Sequence, residues 1–250
     1  MNIIIGRKPV LEAINSGEQI DQVYILYGLK GSIIDAIRIA ATKKGIKCNE
    51  IPHEKLKAIT THPNAQGVAA VKREQKYYTL DEIISTAKQS AFPLILILDS
   101  IQDTHNLGAI LRTADCSGVD GVIVTKYNSA PVNDTVSKTS AGATEYVKIC
   151  AVNNLAQTIK ELKNNGFWIA GSFLDNSSER PPLGKDYTSI DYKIPLALIV
   201  GNEEKGIRKL TADNCDFLVN IPMKGNIRSL NVSVAAGILL FEVLRQRKNT

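Results

Sequence analysis

Two runs constrain the fold of this chain more than any other feature: Leu94-Ile-Leu-Ile-Leu98 and Leu196-Ala-Leu-Ile-Val200. Neither alternates polar with apolar residues. A strand with one wet face alternates; a strand buried on both faces does not, and such strands belong to parallel sheets covered by helices above and below. Both runs stop abruptly, the first at Asp99 and the second at Gly201-Asn-Glu-Glu-Lys-Gly206. Strand patterns over 121–125, 146–152, 167–172 and 217–221 alternate with helical ones from about Leu107, over 155–163 and beyond Ser229. Residues 93–250 therefore read as an open α/β sheet, with ligands expected beyond the strand ends.

Residues 1–76 carry a separate alternation. Val10, Ala13 and Ile14 recur at helical spacing before Gly17, and Ile33, Ile34, Ile37 and Ala40 share one face of a helix over 32–44. Strands are expected over 22–27, 46–51 and 67–72, with a short helix over 53–60. This is a small α/β domain. Residues 77–92 read as a linker, although Thr79-Leu-Asp-Glu82 is a capping box that opens a helix through Lys88.

Charge separates the two parts. The chain has a net charge of +5: residues 1–76 hold twelve Lys+Arg against seven Asp+Glu, and residues 77–250 hold eighteen of each. A basic module beside a neutral one suits a polyanion such as RNA. Arg7, Lys8 and the polar loop Thr60-Thr-His-Pro-Asn-Ala-Gln-Gly67 are the candidates for contact. No run approaches the ~18 apolar residues of a membrane span, and Met-Asn-Ile-Ile-Ile-Gly-Arg lacks the layout of a signal peptide. Cys48, Cys116, Cys150 and Cys215 form no C-x-x-C pair and read as reduced, mostly buried thiols of a cytoplasmic protein. His53, His62 and His105 show no ligand spacing, so no metal site is expected.

The C-terminal stretch Ile221-Pro-Met-Lys-Gly-Asn-Ile-Arg-Ser-Leu-Asn231 leads into a helix along Val232, Ala235, Ala236, Leu239, Leu240 and Val243. Pro222 and Gly225 break regular structure and let backbone approach a ligand. Ser229 reads as the N-cap, and a helix start presents N–H groups to whatever sits there. The Gly201–Gly206 segment is not a P-loop, because Ile207 and Arg208 stand where Lys and Ser/Thr are needed. No G-x-G-x-x-G follows a strand, which argues against a nicotinamide dehydrogenase, and no G-x-S-x-G nucleophile elbow is present.

Three segments together resemble the motifs of the SpoU/TrmH family of RNA 2′-O-ribose methyltransferases, within the SPOUT class. They are Asn106-Leu-Gly-Ala-Ile-Leu-Arg-Thr-Ala114, Val200-Gly-Asn-Glu-Glu-Lys-Gly-Ile207, and Ile221-Pro-Met through Ser229-Leu-Asn-Val-Ser-Val-Ala-Ala-Gly237. The segment from Gly6 through Gln66-Gly67-Val68 resembles the ribosomal-protein-like substrate domain of the family's ribosomal-RNA guanosine methyltransferases. The resemblance implies a deep trefoil knot in the C-terminal part, which general topology rules would have rejected. It also implies a homodimer that shares its active sites.

Carried over by position, the resemblance puts S-adenosylmethionine among the backbone of Gly201, Ile221 and Leu230. It puts Asn106 and Arg112 at the ribose, with Glu203, Ser229 and Asn231 beside them. The implied reaction is in-line attack of a ribose 2′-oxygen on a sulfonium methyl group, which needs positioning and the loss of one proton. The family gives the Arg112 position the part of base. Guanidinium has a pKa above ~12, so binding of Arg112 to a neighbouring phosphate is the physically easier role. Thr104 stands where the family often has Pro, which predicts a less rigid loop before Asn106. The substrate implied is ribosomal RNA, with transfer RNA as the alternative, and no DNA partner is expected. A non-catalytic RNA-binding or ribosome-assembly protein is the rival of another class.

Overall fold

The computed structural model describes residues 3–73, 75–173, 184–202, 206–226 and 229–248. The chain divides into two compact units, residues 1–75 and 76–250.

The first unit runs β1 (Ile3–Ile5), α1 (Arg7–Ser16), β2 (Ile20–Leu26), α2 (Ser32–Lys43), β3 (Lys47–Ile51), α3 (His53–Ile59) and β4 (Val68–Lys72). Its sheet has the order β1-β4-β2-β3. Strands β2 and β3 are parallel, and β4 is antiparallel to β1 and β2. Side chains alternate across β2, as its pleat requires. Val23 and Ile25 pack with Val10, Ile14, Ile34 and Ile37 under α1 and α2, while Tyr24 and Leu26 meet Leu56 of α3 on the other face. The three isoleucines of β1 were not expected as a strand; pairing of Ile3 with Val71 makes them one.

The second unit runs α4 (Leu80–Ala87), β5 (Leu94–Asp99), α5 (Thr104–Cys116), β6 (Gly121–Thr125), α6 (Asp134–Thr139), β7 (Ile149–Val152), α7 (Leu155–Asn164), β8 (Trp168–Ser172), β9 (Lys185–Asp186), β10 (Leu196–Gly201), α8 (Lys209–Asp213), β11 (Phe217–Asn220) and α9 (Val232–Lys248). The sheet has the order β7-β6-β5-β10-β8-β11-β9 and every pairing in it is parallel. The two apolar runs pair residue for residue, Leu94 with Leu196 through Asp99 with Gly201. Leu94, Leu96, Leu98, Leu198 and Val200 face Ile110, Leu111, Val136 and Leu240 of α5, α6 and α9. Ile95, Ile97, Ala197 and Ile199 face Ile83, Ile84, Ile159 and Leu162 of α4 and α7. Unbroken hydrophobicity in both strands follows from these two dry faces.

Four expectations need correction. Residues 77–92 are not a linker: the Thr79 capping box forms, and α4 buries Ile83, Ile84 and Ala87 in the second core. The helix expected from Leu107 begins at Thr104, because Asp103 Oδ1 accepts from Asn106 N at 2.8 Å and caps it. The strand expected from 146 begins at Ile149, after a short helical turn over 143–145. Among the thiols only Cys150 is buried; Cys116 is exposed.

Helix α9 is tied down at its far end. The Arg247 guanidinium donates to the carbonyls of Phe92 (2.7 Å), Ile194 (2.9 Å), Tyr192 (3.0 Å) and Pro93 (3.3 Å), just before β5 and β10. Its opposite end therefore lies over the carboxyl ends of the same strands.

Candidate active site

In an open parallel sheet, a crevice forms where neighbouring strands send their connections in opposite directions. Here that point lies between β5 and β10. The chain leaves β5 for β6 on one side, and leaves β10 for β11 on the other. The last pair at this point is Asp99 with Gly201.

Asp99 is 1% exposed, and its carboxylate reaches across the crevice. It accepts from Arg208 Nε (2.8 Å), Arg208 N (3.3 Å), Thr211 Oγ1 (2.9 Å) and Ser100 Oγ (3.0 Å). The chain emerging from the Gly201 loop is thereby pinned to the end of β5. A buried carboxylate requires such partners. The sequence reading assigned Asp99 no role beyond ending a strand; a carboxylate closing an apolar run was the available signal.

Gly201 has no room for a side chain. A Cβ there would lie 2.2–2.3 Å from the backbone of Gly206 and Ile207. Asn202 and Gly206 pair as an antiparallel bridge just beyond the strand end, Gly206 N donating to Asn202 O at 2.8 Å.

The first and third motifs meet at one hydrogen bond, Asn231 Nδ2 to Asn106 Oδ1 at 3.0 Å. Asn231 also caps α9: its Oδ1 accepts from Ser233 N (2.9 Å) and Ser233 Oγ (2.5 Å). Since Ser233 N can only donate, the Asn231 amide orientation is fixed, and Asn106 must accept through its oxygen. The NH2 of Asn106 is then a donor. The expected N-cap, Ser229, is exposed and lies three residues before Val232, so the cap belongs to Asn231. Thr104 sits at the first helical position of α5, where Pro is favoured because its missing N–H is one the helix does not use. The loop expected to be loosened at Thr104 is thus a capped helix start.

Arg112 stands six residues after Asn106 on α5, about a third of a turn round the axis and ~9 Å along it. It is exposed, and among the described residues its guanidinium has no hydrogen-bond or ion-pair partner. Asn106 and Arg112 therefore do not share a helix face. Ile221 and Leu230 are half-buried, and residues 221–226 belong to neither helix nor strand. Glu203 lies outside the described residues.

In the first unit, Arg7 Nε donates to Gln66 O at 3.1 Å, which joins the start of α1 to the 60–67 loop. His62 Nδ1 accepts from Asn64 N in the same loop. The two features singled out for RNA contact form one surface.

A switch point of a parallel sheet, bordered by the Asn106 and Asn231 amides and the start of α9, is where open α/β proteins take their ligands. Comparison with known proteins specifies the class. The family model described as SpoU rRNA Methylase family matches residues 93–241. A second, RNA 2′-O ribose methyltransferase substrate binding, matches residues 3–78. A Staphylococcus aureus protein named as a TrmH family tRNA/rRNA methyltransferase is 42% identical over 246 residues, covering 98% of this chain and 96% of its own. A solved rRNA methyltransferase from Sinorhizobium meliloti with AdoMet bound aligns with a TM-score of 0.64 at 26% identity, over 97% of this chain and 86% of that one. The SpoU methyltransferase AviRb of Streptomyces viridochromogenes has the same fold, with a TM-score of 0.65 at 24% identity over 99% of this chain and 90% of its own. The chain belongs to the SpoU family of RNA methyltransferases.

Proposed function

We propose that the protein transfers a methyl group from S-adenosylmethionine to a ribose 2′-OH of RNA, at a guanosine of large-subunit ribosomal RNA. The observation that carries this reading is the Asn231–Asn106 hydrogen bond at the β5–β10 switch point. It sets an amide where a hydroxyl that both donates and accepts can be held.

The crevice fits the methyl donor. Half-buried Ile221 and Leu230 offer apolar surface to a flat heteroaromatic ring, beside backbone that no ladder uses and a Gly201 loop without a side chain at its root. S-adenosylmethionine, when bound there, supplies an electrophilic methyl group. The chain's own part is to aim the ribose and stabilise charge. Asn106 orients the 2′-oxygen, with Ser229 on the segment that leads into α9; Glu203 is assigned to the same ribose by its motif alone. Arg112 pairs with an RNA phosphate and stabilises the negative charge that develops as the proton leaves. Asn106 and Arg112 on different faces of α5 fit a site assembled from two chains. The same reading makes the protein a homodimer with a deep trefoil knot.

Residues 1–76 act as the RNA-holding domain and the remainder as the methyltransferase. The S. meliloti rRNA enzyme aligns over 97% of the chain, which favours ribosomal RNA. Transfer RNA is the second reading, because an A. aeolicus TrmH/SpoU tRNA modifying enzyme is 34% identical over 68% of this chain. Four free cysteines and an RNA substrate suit the cytoplasm. Mapping ribose methylation in ribosomal and transfer RNA from cells with and without the protein tests the reading. A single ribosomal guanosine losing its methyl group is expected; no change in either RNA overturns it.

A further inference from the structure

Residues 77–250 hold eighteen Lys+Arg and eighteen Asp+Glu. A neutral catalytic unit has no excess positive charge with which to hold a polyanion against its crevice, so short-range contacts must do it. The loop after β6 is built for one. Its first and last residues are fixed: Thr125 is buried, Lys126 N donates to Val152 O at 2.8 Å, and Ala130 is buried, its N donating to Ile101 O at 2.8 Å. The Thr125 and Ser129 hydroxyls bond at 2.5 Å across the loop, and Asn128 takes φ +58° to close it. Only Lys126, Tyr127 and Asn128 point outward, and Tyr127 is 66% exposed.

Position gives this loop its meaning. β6 pairs in parallel with β5, so the loop stands at the carboxyl edge, one strand away from the switch point. The bond to Ile101 O joins it to the segment leading to Asn106. We infer that Tyr127 is a stacking platform for an unpaired base next to the methylated nucleotide, with Lys126 and Asn128 reaching its phosphate and edge. Rigid exposed aromatics hold single-stranded RNA in this way, with little dependence on charge. A second copy of the chain is the other possible occupant. The cation, the amide and the place beside the crevice favour RNA.

The inference rests on the methyltransferase reading, and the test separates the two. Full-length wild type, Tyr127→Ala, Tyr127→Phe and Tyr127→Trp are compared in three assays. These are binding of a fluorescein-labelled mixed-sequence single-stranded RNA, methyl transfer from labelled S-adenosylmethionine to total RNA of cells lacking the protein, and sedimentation. Tyr127→Ala should weaken RNA binding and raise the RNA KM by roughly tenfold or more, the scale of one base–aromatic stack. Cofactor affinity should be unchanged, and Phe and Trp should restore binding. Wild-type RNA affinity and KM in the Ala variant overturn the inference. So does a change in sedimentation alone, which assigns Tyr127 to a copy contact. If wild type transfers no methyl group, the functional reading fails, and oligonucleotide binding still decides the role of Tyr127.

Discussion

At the scale of single residues, Asn231 performs two jobs with two atoms. Its Oδ1 caps α9 and its Nδ2 holds Asn106. Asn231→Asp keeps the cap and places a negative charge at a helix start, which is favourable. It removes the donor that orients Asn106. The variant should melt within a few degrees of wild type yet lose at least about tenfold in methyl transfer, the scale of one misplaced positioning group. Asn231→Ala should lose activity and also about 1 kcal/mol of stability with the cap. Thermal melts and methyl-incorporation assays on the same preparations check both. Arg112 has no structural partner among the described residues. Arg112→Ala should therefore fold normally, bind S-adenosylmethionine as wild type by calorimetry, and lose methyl transfer by about 10²-fold or more. Parallel loss of cofactor binding would make Arg112 structural.

At the scale of elements, the Gly201 turn and the packing of the thiols are the informative places. In Gly201→Ala the new methyl group would overlap the backbone of Gly206 and Ile207, which no side-chain rotation can relieve. The loop must move, so cofactor affinity should fall while far-ultraviolet circular dichroism stays native. Burial pushes the Cys150 thiol up to about 11 and the Cys215 thiol up to about 12. Unfolded thiols ionise near ~8.5, so above that pH the unfolded chain sheds protons that the folded chain keeps. Stability from this source is complete below ~8.5 and is lost as pH rises towards 11–12. Guanidinium midpoints at pH 8 and pH 10 should differ less for a Cys150→Ala, Cys215→Ala double variant than for wild type. Cys116 alone should label rapidly in the native protein.

The elements also show what the sequence could reveal. Leu94–Asp99 and Leu196–Gly201 were legible as doubly buried strands because five consecutive apolar residues have few other uses. The order of β10 between β5 and β8 was not, since no local pattern says which distant strand fills a gap. Asn106, Arg112, Gly201 and Asn231 stood out through their motifs. Asp99 did not, because its partners Arg208 and Thr211 lie more than a hundred residues away. The cap position was not legible, because Ser229 and Asn231 are both good capping types and only the fold decides which of them stands next to Val232. Residues 77–92 read as a linker in sequence because polar residues surround an eight-residue helix whose buried face is only Ile83, Ile84 and Ala87.

At the scale of the whole molecule, the division at residue 75 and the confinement of net charge to residues 1–76 lead to one expectation. A chain beginning at Lys76 keeps both layers of helices around its sheet, α4 included, and should fold as a soluble protein that binds S-adenosylmethionine. Its RNA affinity should drop, and the dependence of that affinity on salt should become shallower, because fewer phosphate contacts release fewer counterions. Arg7→Glu with Lys8→Glu in the full chain should act in the same direction by less. Titrations at two salt concentrations check this. Equal affinity and slope would move the RNA anchor to the second unit.

The central seat of β10 also has a consequence in time. Its partner β5 is made about a hundred residues earlier, and until residues 196–201 leave the ribosome one edge of β5 has no neighbour. A nascent chain paused before that point displays an apolar strand edge, the kind of surface that recruits chaperones or seeds aggregation. The last third of the message is thus where a slow codon or a premature stop should do the most harm. Chains released at about residue 190 should be insoluble or chaperone-bound, whereas those released after residue 75 should already contain a folded first unit.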